Sequence, residues 1–325
     1  MRITEIREIS AGLASTLRNA VIDFSKMTLS VVAVVTDAKR DGHPIVGFGF
    51  NSNGRYSQGG VLRERLIPRL LEAETDSLLD DVGGLDPFRV QACMMQNEKP
   101  GGHGERAFAV GALDAAIWDA VGKWEEKPLY KVFAERFNNG AYDTRVPVYP
   151  GGGYYDQEKG IEGLKSEMQG YLDAGYTLMK MKVGGATLEE DINRIEAALS
   201  VIGTGENLAV DANAALDIGQ ALQYAAAISN YGLAWFEEPI DPLDFKGHAE
   251  LAAAATMPLA TAENLFSEVD ARNLIRYGGL RRDRDWLQFD PSLCYGPTTF
   301  IDIVRMTKEM GWSSRRHIPH GGQQL

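Results

Sequence analysis

The chain has 325 residues, 44% of them hydrophobic, enough to bury a large core and to build two domains. A formal net charge of -12 argues against a nucleic-acid face, and the densest basic cluster, Arg281, Arg282 and Arg284, is interleaved with Asp283 and Asp285. Cys93 and Cys294 stand alone without CxxC spacing, which predicts free thiols in a reducing cytoplasm, and no stretch reads as a signal peptide or a membrane span.

Residues 1–140 predict an α+β domain. Three strand-like runs, 3–10, 28–37 and 43–50, suggest an antiparallel meander, and helical patterns follow at 60–74 and 105–124. In the second helix Val110, Leu113, Ile117 and Val121 fall on one face. The loop 16–27 carries Arg18, Asn19 and Lys26 and is long for a hairpin, so it reads either as a lid or as an ordered surface loop. Glycines in the loop 97–105 can bring backbone close to a ligand, with Lys99 and His103 placed to touch an anion. The 47–54 stretch, GFGFNSNG, lacks the spacing of a dinucleotide loop and predicts a strand and turn. Motifs for nucleotide hydrolysis, zinc proteolysis and serine esterase chemistry are absent.

From residue 141 a rhythm takes over. Charged residues close short apolar runs at Lys182, Asp211, Glu237, Glu263, Asp290 and His320, at intervals of 29, 26, 26, 27 and 30 residues, with helical spacing between them. That period is one βα unit, which predicts an α/β fold: a TIM-like (β/α) barrel over 141–325 behind a capping domain over 1–140. Every residue in the series ends a strand, the edge where such barrels keep their chemistry.

Three carboxylates converging from Asp211, Glu237 and Glu263 repel unless a cation sits among them, and all-oxygen ligation favours Mg²⁺ over zinc. Lys180 and Lys182, two residues apart, project from one face of the preceding strand. A lysine beside another ammonium and a divalent cation is expected to lose its proton more readily and act as a base. His317 and His320 face opposite ways on an extended strand, so His320 enters the site as acid or base and Asp290 orients its ring.

These residues resemble the mandelate racemase branch of the enolase superfamily. The carriers are ALDAAIWDAVGK followed by PLY, then KMK, VDAN, FEEP, AEN, QFD and IPHGG. Within that branch the chain is similar to the D-tartrate dehydratase group through RNAVIDFSKM, GFGFNSNGRYSQGG, MMQNEKPGGHGER, ENLFSEVDARNLIRYGG and DRDWLQFD. The resemblance implies a Mg²⁺-dependent hydro-lyase acting on a small hydroxy-dicarboxylate. Lys182 would abstract the α-proton, the metal would hold an enediolate, and His320 would assist loss of the β-hydroxyl to give an α-keto acid. It also implies that Asn213 and Lys180 orient metal ligands or the substrate carboxylate and that segment 18–26, which carries Asn19, closes over the substrate; Asn19, Lys99 and His103 are taken as candidate substrate contacts, the last two from the Gly-rich loop. A cytoplasmic homo-oligomer is expected.

Counting strands from residues 146–150 to His320 gives seven, and about 185 residues stand where an eight-stranded barrel takes about 250. The expectation is a barrel whose C-terminal end is missing, with exposed sheet edges.

Overall fold

The computed structural model describes residues 1–15, 18–51, 57–156 and 159–321. Parts of the 16–27 loop and of the 47–54 stretch therefore lie outside the described residues. Strands β1 (Ile3–Gly12), β2 (Thr28–Arg40) and β3 (His43–Asn51) form the expected antiparallel meander, in the order β1-β2-β3. Asp41 and Gly42 both have positive φ, 51° and 80°, which suits a two-residue turn matching the twist of β2 and β3. One face of β2 is apolar and covered: Val32 and Val34 are fully buried, while Val31 faces outward.

The helix expected at 60–74 is a continuous run of α1 (Ser57–Val61), a π-helical stretch (Leu62–Leu66) and α2 (Ile67–Glu72), followed by α3 (Pro87–Met94). Next come α4 (Glu105–Trp124) and α5 (Leu129–Phe137). Almost every residue of α4 from Ala107 to Val121 is buried, as befits a helix enclosed on several sides. On one side β3 approaches its backbone so closely that a Cβ on Gly47 or Gly49 would lie 2.0 or 2.1 Å from the carbonyl oxygens of Ala116 and Ala112. On another, a Cβ on Gly111 would lie 2.0 Å from the Ser292 carbonyl oxygen, so α4 also touches a loop of the barrel.

The barrel elements alternate: β4 (Gly151–Gly152), α6 (Gly160–Asp173), β5 (Met179–Lys182), α7 (Leu188–Ile202), β6 (Leu208–Asp211) and α8 (Ile218–Ala227). They continue with β7 (Phe236–Glu237), α9 (Phe245–Ala254), β8 (Leu259–Thr261), α10 (Glu268–Tyr277), β9 (Trp286–Leu287) and α11 (Pro297–Glu309). β4 to β9 pair in chain order, all parallel. Thr187 with Glu190 and Asp217 with Gln220 form capping boxes that start α7 and α8, and Gly203 at φ 88° ends α7. The register sets Lys182 opposite Asp211 and Asp211 opposite Glu237, which levels their side chains at the sheet's carboxyl edge.

Two strands differ from the sequence reading. The first lies at Gly151–Gly152 rather than within 146–150, where Val146 and Val148 are 78% and 69% exposed; pairing with β5 begins only where Pro150 O accepts from Lys180 N at 3.0 Å. Near His320 the expected seventh strand is a single parallel bridge from Leu287 to His317, supported by Ile318 N donating to Leu287 O at 2.9 Å. Among the described residues this segment pairs on one side only and holds few ladder bonds. No helix among the described residues is long and apolar enough to cross a membrane.

Candidate active site

The KMK run is a strand because Met179 and Met181 are both fully buried against the flanking helices, which turns Lys180 and Lys182 to the other face, inside the barrel. Lys180 is 8% exposed and Lys182 6%, and a buried ammonium requires partners. The Lys182 ammonium donates to Asp211 Oδ2 at 2.6 Å. That of Lys180 bridges the same oxygen, at 2.9 Å, and Glu237 Oε1. Burial pulls the Lys180 pKa down, but the charges of Asp211, Glu237 and Glu263 outweigh it and hold the group well above the ordinary lysine value. The sequence expectation of a lowered lysine pKa assumed a cation beside the pair; the carboxylates alone act in the opposite direction for Lys180.

Asp211 is fully buried, which would raise its pKa, yet Lys180 and Lys182 hold it far below the usual carboxylate range. Glu237 is pushed up by burial and by Asp211 and Glu263, against Lys180. Its Oε2 accepts from Trp235 Nε1 at 2.8 Å and Gln288 Nε2 at 2.9 Å, so its carboxylate is held on both oxygens. Asn213 points its amide at Asp211 Oδ2, 3.4 Å away, while its backbone N donates to Asp211 Oδ1 at 2.9 Å.

On the opposite flank, His320 Nδ1 lies 2.8 Å from Asp290 Oδ2 and its Nε2 lies 3.4 Å from Glu263 Oε2. Burial lowers the imidazole pKa, and Glu263 and Asp290 more than reverse this, so it ends raised. Asp290 Oδ1 accepts from Ser292 N and Leu293 N, which fixes its carboxylate for the ring. His317 is the other kind of histidine: Nε2 meets Thr307 Oγ1 at 2.9 Å and burial drives its pKa to about 4.

The remaining sequence candidates occupy the capping side. Asn19 Oδ1 accepts from Val21 N and Ile22 N, so it shapes its own turn. Lys99 is exposed, and its carbonyl accepts from Arg106. His103 Nδ1 lies 3.0 Å from Tyr295 Oη, which also accepts from Arg106 Nε. The Arg18–Lys26 segment meets the barrel through Phe24, edge-on to Tyr154 at 6.5 Å, and the Lys182 ammonium lies 5.5 Å from the centre of that tyrosine ring. Tyr154 was missed in the sequence because it lies in a Gly-rich turn with no charge to mark it.

Glu238 was missed too. It is fully buried, Asn264 Nδ2 donates to its Oε2 at 2.8 Å, and burial with the charges of Glu263, Asp211 and Glu237 pushes its pKa well up. The doubled acid of FEEP was its only signal.

These residues fit a hard divalent cation. Asp211, Glu237, Glu238, Glu263 and Asp290 are five buried acids set against Lys180, Lys182 and His320, a deficit of two positive charges when all are ionised. Glu238 Oε1 and Glu263 Oε2 are buried without a hydrogen-bond partner, His320 Nε2 approaching the latter without bonding geometry. The donors are all oxygen. Among the described residues no three acids or histidines are drawn together closely enough to enclose an ion, the Lys180 ammonium bridging Asp211 and Glu237 instead.

Comparison with known proteins agrees with the fold. The chain is 33% identical over 227 residues to arabinonate dehydratase of Saccharolobus solfataricus, covering 68% of this chain and 58% of that protein. It is 28% identical over 301 residues to L-talarate/galactarate dehydratase of Salmonella typhimurium, covering 91% of this chain and 70% of that protein. Thus it spans little more than half the length of the first of these. Among solved structures it is similar to a racemase from Streptomyces coelicolor with bound magnesium (TM-score 0.80, 28% identity, covering 98% of this chain and 83% of that one). It is also similar to L-talarate dehydratase from Polaromonas sp. complexed with Mg and L-glucarate (TM-score 0.75, 26% identity, covering 99% and 81%). The family model described as enolase C-terminal domain-like matches residues 163–325, half of the chain, and with the antiparallel capping sheet ahead of this parallel barrel sheet the chain belongs to the enolase superfamily, in its mandelate racemase/muconate lactonizing enzyme branch.

Proposed function

We propose that this chain is a divalent-cation-dependent dehydratase of acid sugars, with Mg²⁺ as the ion, Lys182 as the base and His320 as the acid. One observation carries the reading: Lys182 sits on Asp211 at one end of a row of buried carboxylates, and His320 on Glu263 at the other. Asp211, Glu237 and Glu263 would hold the ion. When bound, it supplies positive charge against the substrate carboxylate and offsets the charge that develops as the α-proton leaves.

The residues of this chain do the rest. Lys182, its strand pinned by register to β6, takes the α-proton as the free amine, the form left once the ammonium seen on Asp211 has given up a proton. His320, kept as imidazolium by Asp290, delivers a proton to the departing β-hydroxyl, which leaves as water. The enol that remains tautomerises to an α-keto acid. Phe24 and Tyr154 bring the capping segment over Lys182 and help to exclude solvent.

Arabinonate and talarate/galactarate are named for the relatives, and both are acid sugars. D-tartrate, which would give oxaloacetate, is supported by the loop stretches alone. A racemase of the same branch is the second reading, because proton donors and acceptors at both ends of the row would also serve removal and return of one proton, and a similar structure is a racemase.

The test is α-keto acid formation with Mg²⁺ from D-tartrate, L-tartrate, meso-tartrate, galactarate, L-talarate and arabinonate, with Lys182→Ala as control. Keto acid that disappears in the control supports the dehydratase. Exchange of the α-proton in D₂O without keto acid supports the racemase. A folded, Mg²⁺-binding sample that does neither overturns both.

A further inference from the structure

Glu238 is fully buried directly after Glu237, and neither the base nor the acid role uses it. In a regular strand two successive side chains face opposite ways. Here the backbone of Glu238 turns to φ 38°, a left-handed conformation uncommon outside glycine that persists only when its surroundings enforce it. The enforcement is visible on both sides: Glu238 N donates to Ala260 O at 2.9 Å, and Glu238 O accepts from Ala214 N at 2.7 Å. Asn264, one residue beyond Glu263, takes Oε2 and leaves Oε1 without a partner.

Three more buried oxygens lack partners nearby in the sheet order. Asn213 Oδ1 follows β6, Glu263 Oε2 follows β8 and Gln288 Oε1 follows β9, with Glu238 after β7 among them. Buried acceptors are nearly always satisfied, and here four stand at the ends of four adjacent strands without a hydrogen bond from the protein. A Mg²⁺-like ion keeps several of its waters, each of which is a donor.

We infer that Glu238 is a further anchor of the divalent cation, accepting from a water on the ion while Asn264 fixes the orientation of its carboxylate. This rests on the reading that Asp211, Glu237 and Glu263 hold that ion.

Calorimetric titration of the full chain with Mn²⁺ tests it, in the wild type and in Glu238→Gln, Asn264→Ala and Asp211→Asn, with circular dichroism to establish folding. The expected result is a ~10–100-fold loss of affinity in Glu238→Gln, a smaller loss in Asn264→Ala, and no measurable binding in Asp211→Asn. Affinity in Glu238→Gln within about twofold of wild type, with Asp211→Asn silent, overturns the role of Glu238 and leaves the three-carboxylate reading standing. Absence of binding in the wild type overturns both. Should Glu238→Gln not fold, Asn264→Ala decides: unchanged Mn²⁺ affinity there overturns the inference, and a loss supports it.

Discussion

Lys182 and Asp211 are register partners on adjacent parallel strands, and the ammonium of one lies 2.6 Å from Oδ2 of the other. Backbone pairing therefore sets the side-chain chemistry: a slip of one residue would turn Lys182 into the outer layer of the barrel. Asp211 also faces Lys180 at 2.9 Å, so one carboxylate answers two buried ammonium groups.

Asp211→Asn is accordingly expected to destabilise the metal-free protein by roughly 3–5 kcal/mol, since it leaves buried charge uncompensated. Urea unfolding in EDTA reads this directly. A loss below about 1 kcal/mol would show that the two lysines give up a proton or reach solvent instead.

Arg194 holds Lys182 from behind. Its guanidinium donates to Lys182 O at 2.7 Å and Gly153 O at 2.5 Å, pairs with Asp191, and lies 4.1 Å from the centre of the Tyr155 ring. Arg194→Lys keeps the charge but cannot span both carbonyls. We expect kcat to fall by on the order of 100-fold with KM little changed, because the proposed base is displaced rather than the binding groups. Equal kcat in the variant would show that β5 is held by its ladder alone.

Much of this site was legible in the sequence because a barrel writes its chemistry at a fixed period, so Lys182, Asp211, Glu237, Glu263, Asp290 and His320 marked themselves as the charged ends of apolar runs. Glu238 escaped because strand alternation assigns it to the other face, and only the φ of 38° overrides that rule. Strand alternation at 146–150 misled in the same way, since nothing local says that pairing with β5 begins only at Pro150. Asn19 and His103 were singled out for polarity, but their bonds to a local turn and to Tyr295 depend on backbone paths no motif records.

Gly111 tests the seam between α4 and the barrel. An added Cβ would meet Ser292 O at 2.0 Å, and Ser292 N in turn donates to Asp290 Oδ1 at 2.6 Å. Gly111→Ala should therefore cost about 1–3 kcal/mol of stability and disturb the His320–Asp290 pair. Thermal unfolding measures the first effect, and a downward shift of the His320 pKa, read by NMR, measures the second. A variant as stable as wild type would mean that the loop after β9 yields freely.

Asp114 contributes a pH dependence of unusual sign for a carboxylate. It is fully buried on α4, where Thr298 N and Oγ1 donate to its two oxygens at 2.9 and 2.8 Å, and it caps the first turn of α11 from another element. Burial raises its pKa from 3.8 to about 7, the Thr298 bonds opposing. A group whose folded pKa lies above its unfolded value contributes stability that is fully present below about pH 3.8 and lost as pH rises through about 7. His317, lowered by burial from 6.5 to about 4, contributes stability present above about 6.5 and lost as pH falls through about 4. The two run in opposite directions across the acid range and largely cancel in the wild type. Asp114→Asn removes only the first, so its stability relative to wild type should improve by up to roughly 4 kcal/mol between pH 4 and pH 7.5. Denaturant unfolding of both proteins at intervals across that range measures the difference. A difference that stays constant would place the Asp114 pKa in the ordinary range and leave Thr298 as sufficient compensation for its charge.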